Sequence, residues 1–139
     1  MNLKTIAAVS GKSGLFRVLQ PTRNGVVLES LDGKKTKLIA TMSHKVSILS
    51  EISMYTTDSE GAMNLAKVMD CVKEKHGVKA DVNVNDNKAL ALFMEGVLPN
   101  YDKSRVYASD IKKLVTWFNI INEHAADVVN ATEDEEEQA

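Results

Sequence analysis

Residues 14–38 read GLFRVLQPTRNGVVLESLDGKKTKL, and this stretch decides the fold class. Phe16 and Val18 share one face of an extended segment while Leu15, Arg17 and Leu19 take the other, which predicts a strand over 15–20. Pro21 removes a ladder donor, and Asn24-Gly25 tolerates the positive φ of a tight reversal, so the chain should turn back there. A second strand follows over 26–31. It ends in another turn pair, Asp32-Gly33, which hands over to a third strand over 34–39. Three strands bury too little apolar surface by themselves, and residues 46–56 (VSILSEISMYT) supply one or two more. The expectation is a small antiparallel meander, SH3-like in size, that closes into a barrel or forms a strongly bent sheet.

Working back toward the N-terminus, Leu3, Ile6 and Ala7 are spaced for one face of a short helix that would pack on the barrel. Ser10-Gly11-Lys12-Ser13-Gly14 ends it in a glycine-rich loop. A phosphate-loop reading of Lys12 fails, because that motif needs four residues between its glycines and a helix after them, whereas here a strand follows.

Forward of the meander, the polar junction Thr56-Thr57-Asp58-Ser59-Glu60-Gly61 marks a change of apolar period from about two to about 3.6. Leu65, Val68, Met69 and Val72 form one helix face, with Asn64 as its cap and Gly77 at its C-terminal end. Asp86 caps a second helix carrying Leu90, Phe93, Met94 and Val97, which Pro99 stops. Ser109-Asp110 caps the last and longest, whose face is Ile111, Leu114, Val115, Phe118 and Ile121 with Trp117 at its flank. Residues 78–85 read equally as an edge strand or an extended connection. The resulting fold class is α+β: a small β domain over 1–56 with an N-terminal helix, a three-helix segment over 57–128, and a disordered acidic tail over 129–139.

Charge is divided along the same line. Residues 1–56 carry eight basic and three acidic side chains, a net of +5, while the remainder carries a net of −7. The 139 residues contain no run long enough for a membrane span, and Met-Asn-Leu-Lys does not open as a secretory signal does, so a cytoplasmic protein with no membrane partner is expected. One cysteine, Cys71, excludes an internal disulfide, and beside Asp70 in mid-helix it lacks the cationic neighbour that would make it a nucleophile.

Candidate sites follow from charge rather than from catalytic motifs. Arg17, Arg23, Lys34, Lys35 and Lys37 cluster in the meander sequence and are the candidate contacts for an anion or nucleic acid, by phosphate neutralisation. Tyr101, Arg105, Tyr107, Lys112, Lys113 and Trp117 are the candidate contacts for a protein partner. His44, His76 and His124 have no ligand-spaced neighbours, so no metal and no cofactor is expected. Asp102 and Ser104 lack the glycine and terminal glutamate of a calcium loop. No nucleophile and base pair up. The expected function is a non-enzymatic binding or adaptor protein for an anionic or protein partner, whose helices pack or form homo-oligomers; the alternatives are a nucleic-acid- or ribosome-associated factor and an enzyme with an unrecognised site.

Several runs carry a resemblance. Ser10-Gly11-Lys12 with Gly14-Leu15, Val27-Leu28-Glu29-Ser30-Leu31-Asp32-Gly33, Ser43-His44-Lys45-Val46-Ser47 and Ile52-Ser53-Met54-Tyr55-Thr56 are joined by Val97-Leu98-Pro99-Asn100-Tyr101-Asp102, Arg105-Val106-Tyr107, Ser109-Asp110-Ile111-Lys112-Lys113 and Trp117-Phe118-Asn119. Over about residues 1–122 this resembles a family of uncharacterised Bacteroidetes proteins built on a domain of unknown function. Phe118 stands where that family's pattern leads one to expect tyrosine. The resemblance implies a two-part layout and a cytosolic bacterial setting, and it supplies no substrate or catalytic residue.

Overall fold

The computed structural model describes residues 1–12, 14–41 and 44–129. Five antiparallel strands form one sheet: β1 (Ile6–Val9), β2 (Phe16–Thr22), β3 (Gly25–Ser30), β4 (Lys37–Thr41) and β5 (Val46–Ile48), in the spatial order β4-β3-β2-β1-β5. A 3₁₀ turn, Leu49–Glu51, leads to a two-stranded hairpin of β6 (Ser53–Tyr55) and β7 (Ala62–Asn64). Helices α1 (Leu65–His76), α2 (Asn87–Val97), α3 (Ala108–His124) and α4 (Ala126–Val129) follow.

The class is α+β as expected and three meander strands form, but β2 runs past the expected turn at Pro21 to Thr22 and β4 begins at Lys37 rather than Lys34. The N-terminal helix does not exist: residues 6–9 are β1, paired with β2 through Ile6↔Arg17 and with β5 through Ala7↔Ile48. Its two faces are both covered, with Ile6 in the main core and Val9 in a second cluster. A strand buried on both sides loses its alternation, and the spacing of Leu3, Ile6 and Ala7 then imitates a helix. Barrel closure is not among the pairings of the described residues, since β4 and β5 end the sheet order. Val46 from one edge strand and Ala40 from the other pack on the same small cluster of Val9, Phe16 and Leu28.

Turn chemistry also differs in its cause. Neither Asn24 nor Gly25 adopts a positive φ, and in the second turn Lys35 does so, at 49°, in place of Gly33. Gly25 is required for another reason: it lies opposite Thr41, and a Cβ there would sit 1.9 Å from the carbonyl oxygen of Ala40. Strand β2 runs on through Pro21, past a bulge at Leu19, because β1 pairs with it only as far as Arg17 and the missing N–H costs nothing on that open side.

Helix boundaries follow their caps. The Asn64 side chain accepts from the Ala66 N–H at 2.9 Å, Asp86 accepts from Lys88 and Ala89, and Gly77 ends α1 with φ 74°. The third helix starts earlier than the Ser109-Asp110 cap predicts, at Ala108, with Asp110 Oδ2 accepting from the Tyr107 N–H at 3.0 Å. Residues 78–85 form no strand. They are strapped to α3 by Asn119, whose side chain accepts from the Ala80 N–H at 2.7 Å and donates to the Ala80 carbonyl at 3.0 Å.

One core joins sheet and helices. Leu3, Ile6, Leu15, Leu31 and Leu49 pack with Met69, Leu90, Met94, Leu114, Phe118 and Ile121, nearly all of them fully buried. The acidic tail expected over 129–139 lies outside the described residues apart from Val129, which ends α4.

Candidate functional site

The edge of β6, the loop after β1 and the outer side of α3 meet along one groove. Its first part, a cavity of about 200 Å³, has Ser53 and Tyr55 of β6 on one wall and Asp110, Lys113, Leu114 and Trp117 of α3 on the other. Arg105 closes one end. Its guanidinium carbon lies 4.5 Å above the Tyr55 ring while Nε donates to Asp102 Oδ2 at 3.0 Å. That carboxyl is held below its ordinary range by hydrogen bonds from the Ser104 hydroxyl and from Arg105.

The second part, about 460 Å³, is lined by Ser10, Gly11, Lys12, Lys45, Ser47 and again by Lys113 and Trp117. Lys113 and Trp117 line both parts. Gly11 and Gly14 take φ of 82° and 77° in the β1–β2 loop, and the Ser10 N–H donates to the Lys45 carbonyl at 2.9 Å, carrying the β1–β5 ladder one position further. Lys12, Lys45 and Lys113 are exposed, and none of them forms an ion pair among the described residues. Trp117 is half-buried and presents an indole between them. The groove thus offers cations with unspent charge, an apolar floor and a sheet edge, a set suited to holding an anionic chain.

Of the six candidate partner contacts, Arg105, Lys113 and Trp117 line this groove. Tyr101 is buried in the core, at 6 % exposure, and Tyr107 and Lys112 are exposed outside the lining. The five basic candidates of the meander do not form one patch, although Arg17 and Lys35 line a shared cavity with Glu29, Asp32 and Asp127. Lys34 and Lys35 occupy the β3–β4 turn, where Asp32 Oδ1 accepts from both of their backbone N–H groups, and Arg23 lies in the turn at the opposite end of β3. Lys37 pairs across the ladder with Glu29. Arg17 is engaged: its guanidinium donates to both oxygens of Asp127, at 2.8 and 2.9 Å. Sequence reading missed Lys12 and Lys45 as site residues, since only the pairing of β1 with β5 brings them to Lys113.

The Arg17 pair has a pH consequence. The hydrogen bond from Arg17 holds the Asp127 carboxyl below its ordinary value, so the pair stabilises the fold above the carboxylate range and ceases to do so as pH falls through that lowered value. Asp127→Asn should therefore cost on the order of 0.5 kcal/mol at neutral pH, given the exposure of the pair, and nothing in strong acid. Urea unfolding of the two proteins across pH checks this; a cost that persists in acid would show that the pair's charge contributes nothing.

Residues 52–121 match the family model described as Domain of unknown function (DUF6852). The chain belongs to the DUF6852 family. In this DUF6852 protein residues 3–49 match a second model, Domain of unknown function (DUF5606), so the two matched segments abut just before β6. A solution NMR structure of a protein from Bacteroides vulgatus, a member of the Bacteroidetes, is 35% identical, with 90% of this chain and 89% of that one aligned at a TM-score of 0.73. The resemblance to uncharacterised Bacteroidetes proteins is thereby shown for this DUF6852 chain. No curated protein matches it. Among the described residues, no helix is long and apolar enough to cross a membrane.

Proposed function

We propose that this protein is a non-enzymatic cytoplasmic binding module that holds an anionic segment of a protein partner in the groove between the sheet and α3. The five-stranded sheet, in which the fifth strand returns beside the first, serves as an SH3-like platform for it. One observation carries the reading: Lys12, Lys45 and Lys113 line one cavity together with Trp117, and their charge is not offset by any ion pair among the described residues. Arg17 and Lys103, by contrast, are compensated, by Asp127 and by Glu95 at 2.6 Å. The free thiol of Cys71, pushed up by burial and by Glu74 and Asp70, suits a reducing compartment and no nucleophilic role.

A fluorescent oligo-glutamate peptide and a single-stranded oligonucleotide, each titrated against the full chain, test this. Lys45→Glu with Lys113→Glu should weaken oligo-glutamate binding by about tenfold or more, whereas Lys34→Glu with Lys35→Glu should change it by less than about twofold. Affinity should also fall as salt rises to physiological strength. Equal losses from the two double variants would remove the groove as the site, and tighter binding of the oligonucleotide would replace the protein partner with nucleic acid.

A further inference from the structure

Resting on the anionic groove just described, the backbone of β6 indicates how an occupant is held. The Leu65 N–H donates to the Ile52 carbonyl at 2.9 Å and the Thr56 N–H to the Gly61 carbonyl at 3.0 Å, so Ile52, Met54 and Thr56 turn their backbone groups toward β7. In an antiparallel pair the alternate residues face the other way. Ser53 and Tyr55 therefore direct theirs outward, along the wall of the groove. The outer edge is already used at one end. Tyr55 C=O accepts from the Asp102 N–H and the Thr57 N–H donates to Asn100 C=O, both at 2.9 Å, around an antiparallel bridge between Thr56 and Tyr101. Beyond that bridge the Ser53 N–H and C=O and the Tyr55 N–H have no partner among the described residues, and Ser53 is exposed.

We propose that the groove takes its partner by strand addition: an extended peptide alternating acidic and apolar residues pairs with β6 at Ser53 and Tyr55, continuing the line that residues 100–102 begin. Successive side chains of such a strand point to opposite faces. The lining supplies both kinds of contact, apolar at Val106, Leu114 and Trp117 and cationic at Lys113 and Arg105, beside the carboxyl of Asp110. Main-chain hydrogen bonds give this mode its affinity and the alternating contacts its preference, while charge selects acidic sequences over others. The free edge is only three residues long, which keeps it from pairing indiscriminately with other chains.

The test uses short peptides that alternate glutamate with valine, leucine or phenylalanine, together with versions N-methylated at every second residue in either frame. On saturation, amide exchange at Ser53 and Tyr55 should slow by about tenfold, and methylation in one frame should weaken binding by about tenfold through the loss of two hydrogen bonds. Binding insensitive to methylation in both frames, unchanged exchange at Ser53, or no binding by any of these peptides would overturn strand addition. Oligo-glutamate affinity that still depends on Lys45 and Lys113 under those outcomes would leave the anionic groove standing, so the two failures are distinguishable.

Discussion

Phe118→Ala should cost about 4 kcal/mol of stability, the largest loss from any single truncation in this chain. Phe118 is the bulkiest of the fully buried side chains and sits on α3, the helix that faces both the sheet-side leucines and the other helices. Removing its ring forfeits transfer free energy and leaves a cavity whose walls belong to several elements, so no single element can move in to fill it. In urea the unfolding midpoint should fall with little change in slope. A loss below about 1 kcal/mol would mean that the core relaxes around the gap and that α3 is not its centre.

Gly25→Ala should cost roughly 3 kcal/mol, although it adds only a methyl group at an element end. The new Cβ would lie 1.9 Å from the oxygen and 2.9 Å from the carbon of the Ala40 carbonyl, and 3.1 Å from Thr41 Cα, all backbone atoms that cannot rotate away. Relief requires β3 and β4 to separate at that end, which breaks ladder hydrogen bonds and lifts Ala40 from the small sheet cluster. Gly33→Ala is the control, because nothing lies within 4 Å of its Cβ position and its φ is not positive. It should be neutral within about 0.5 kcal/mol. Equal effects at the two glycines would show that β4 tolerates displacement and that close approach is not what glycine serves at position 25.

These two cases mark how much was legible beforehand. Apolar period and cap chemistry place α1, α2 and α3, because Asn64, Asp86 and Gly77 act through neighbours two to four residues away. The meander is equally local. What fails is whatever depends on a distant partner. β1 reads as a helix because the cover on its second face, around Val9, is gathered from Phe16, Leu28 and Ala40 on three later strands. Arg17 reads as a free cation because its carboxylate stands 110 residues away in α4. In the groove, Lys113, Arg105 and Trp117 are visible as candidates from one polar connection and the helix after it. Lys12 and Lys45 join them only through strand pairing, and the outward turn of Ser53 is a matter of hydrogen-bond phase that residue types do not encode.

The seam between the two matched family segments falls at residues 50–51, one position past Leu49, which is wholly enclosed. Leu3, Ile6, Leu15 and Leu31 likewise find their cover across that seam, in the helices. A lineage that inherited either segment without the other would have to roof over a row of bare leucines by some new means. The pair is therefore held together by shared interior contacts as well as by the chain that joins them, and substitutions on one side of the seam are expected to be answered on the other.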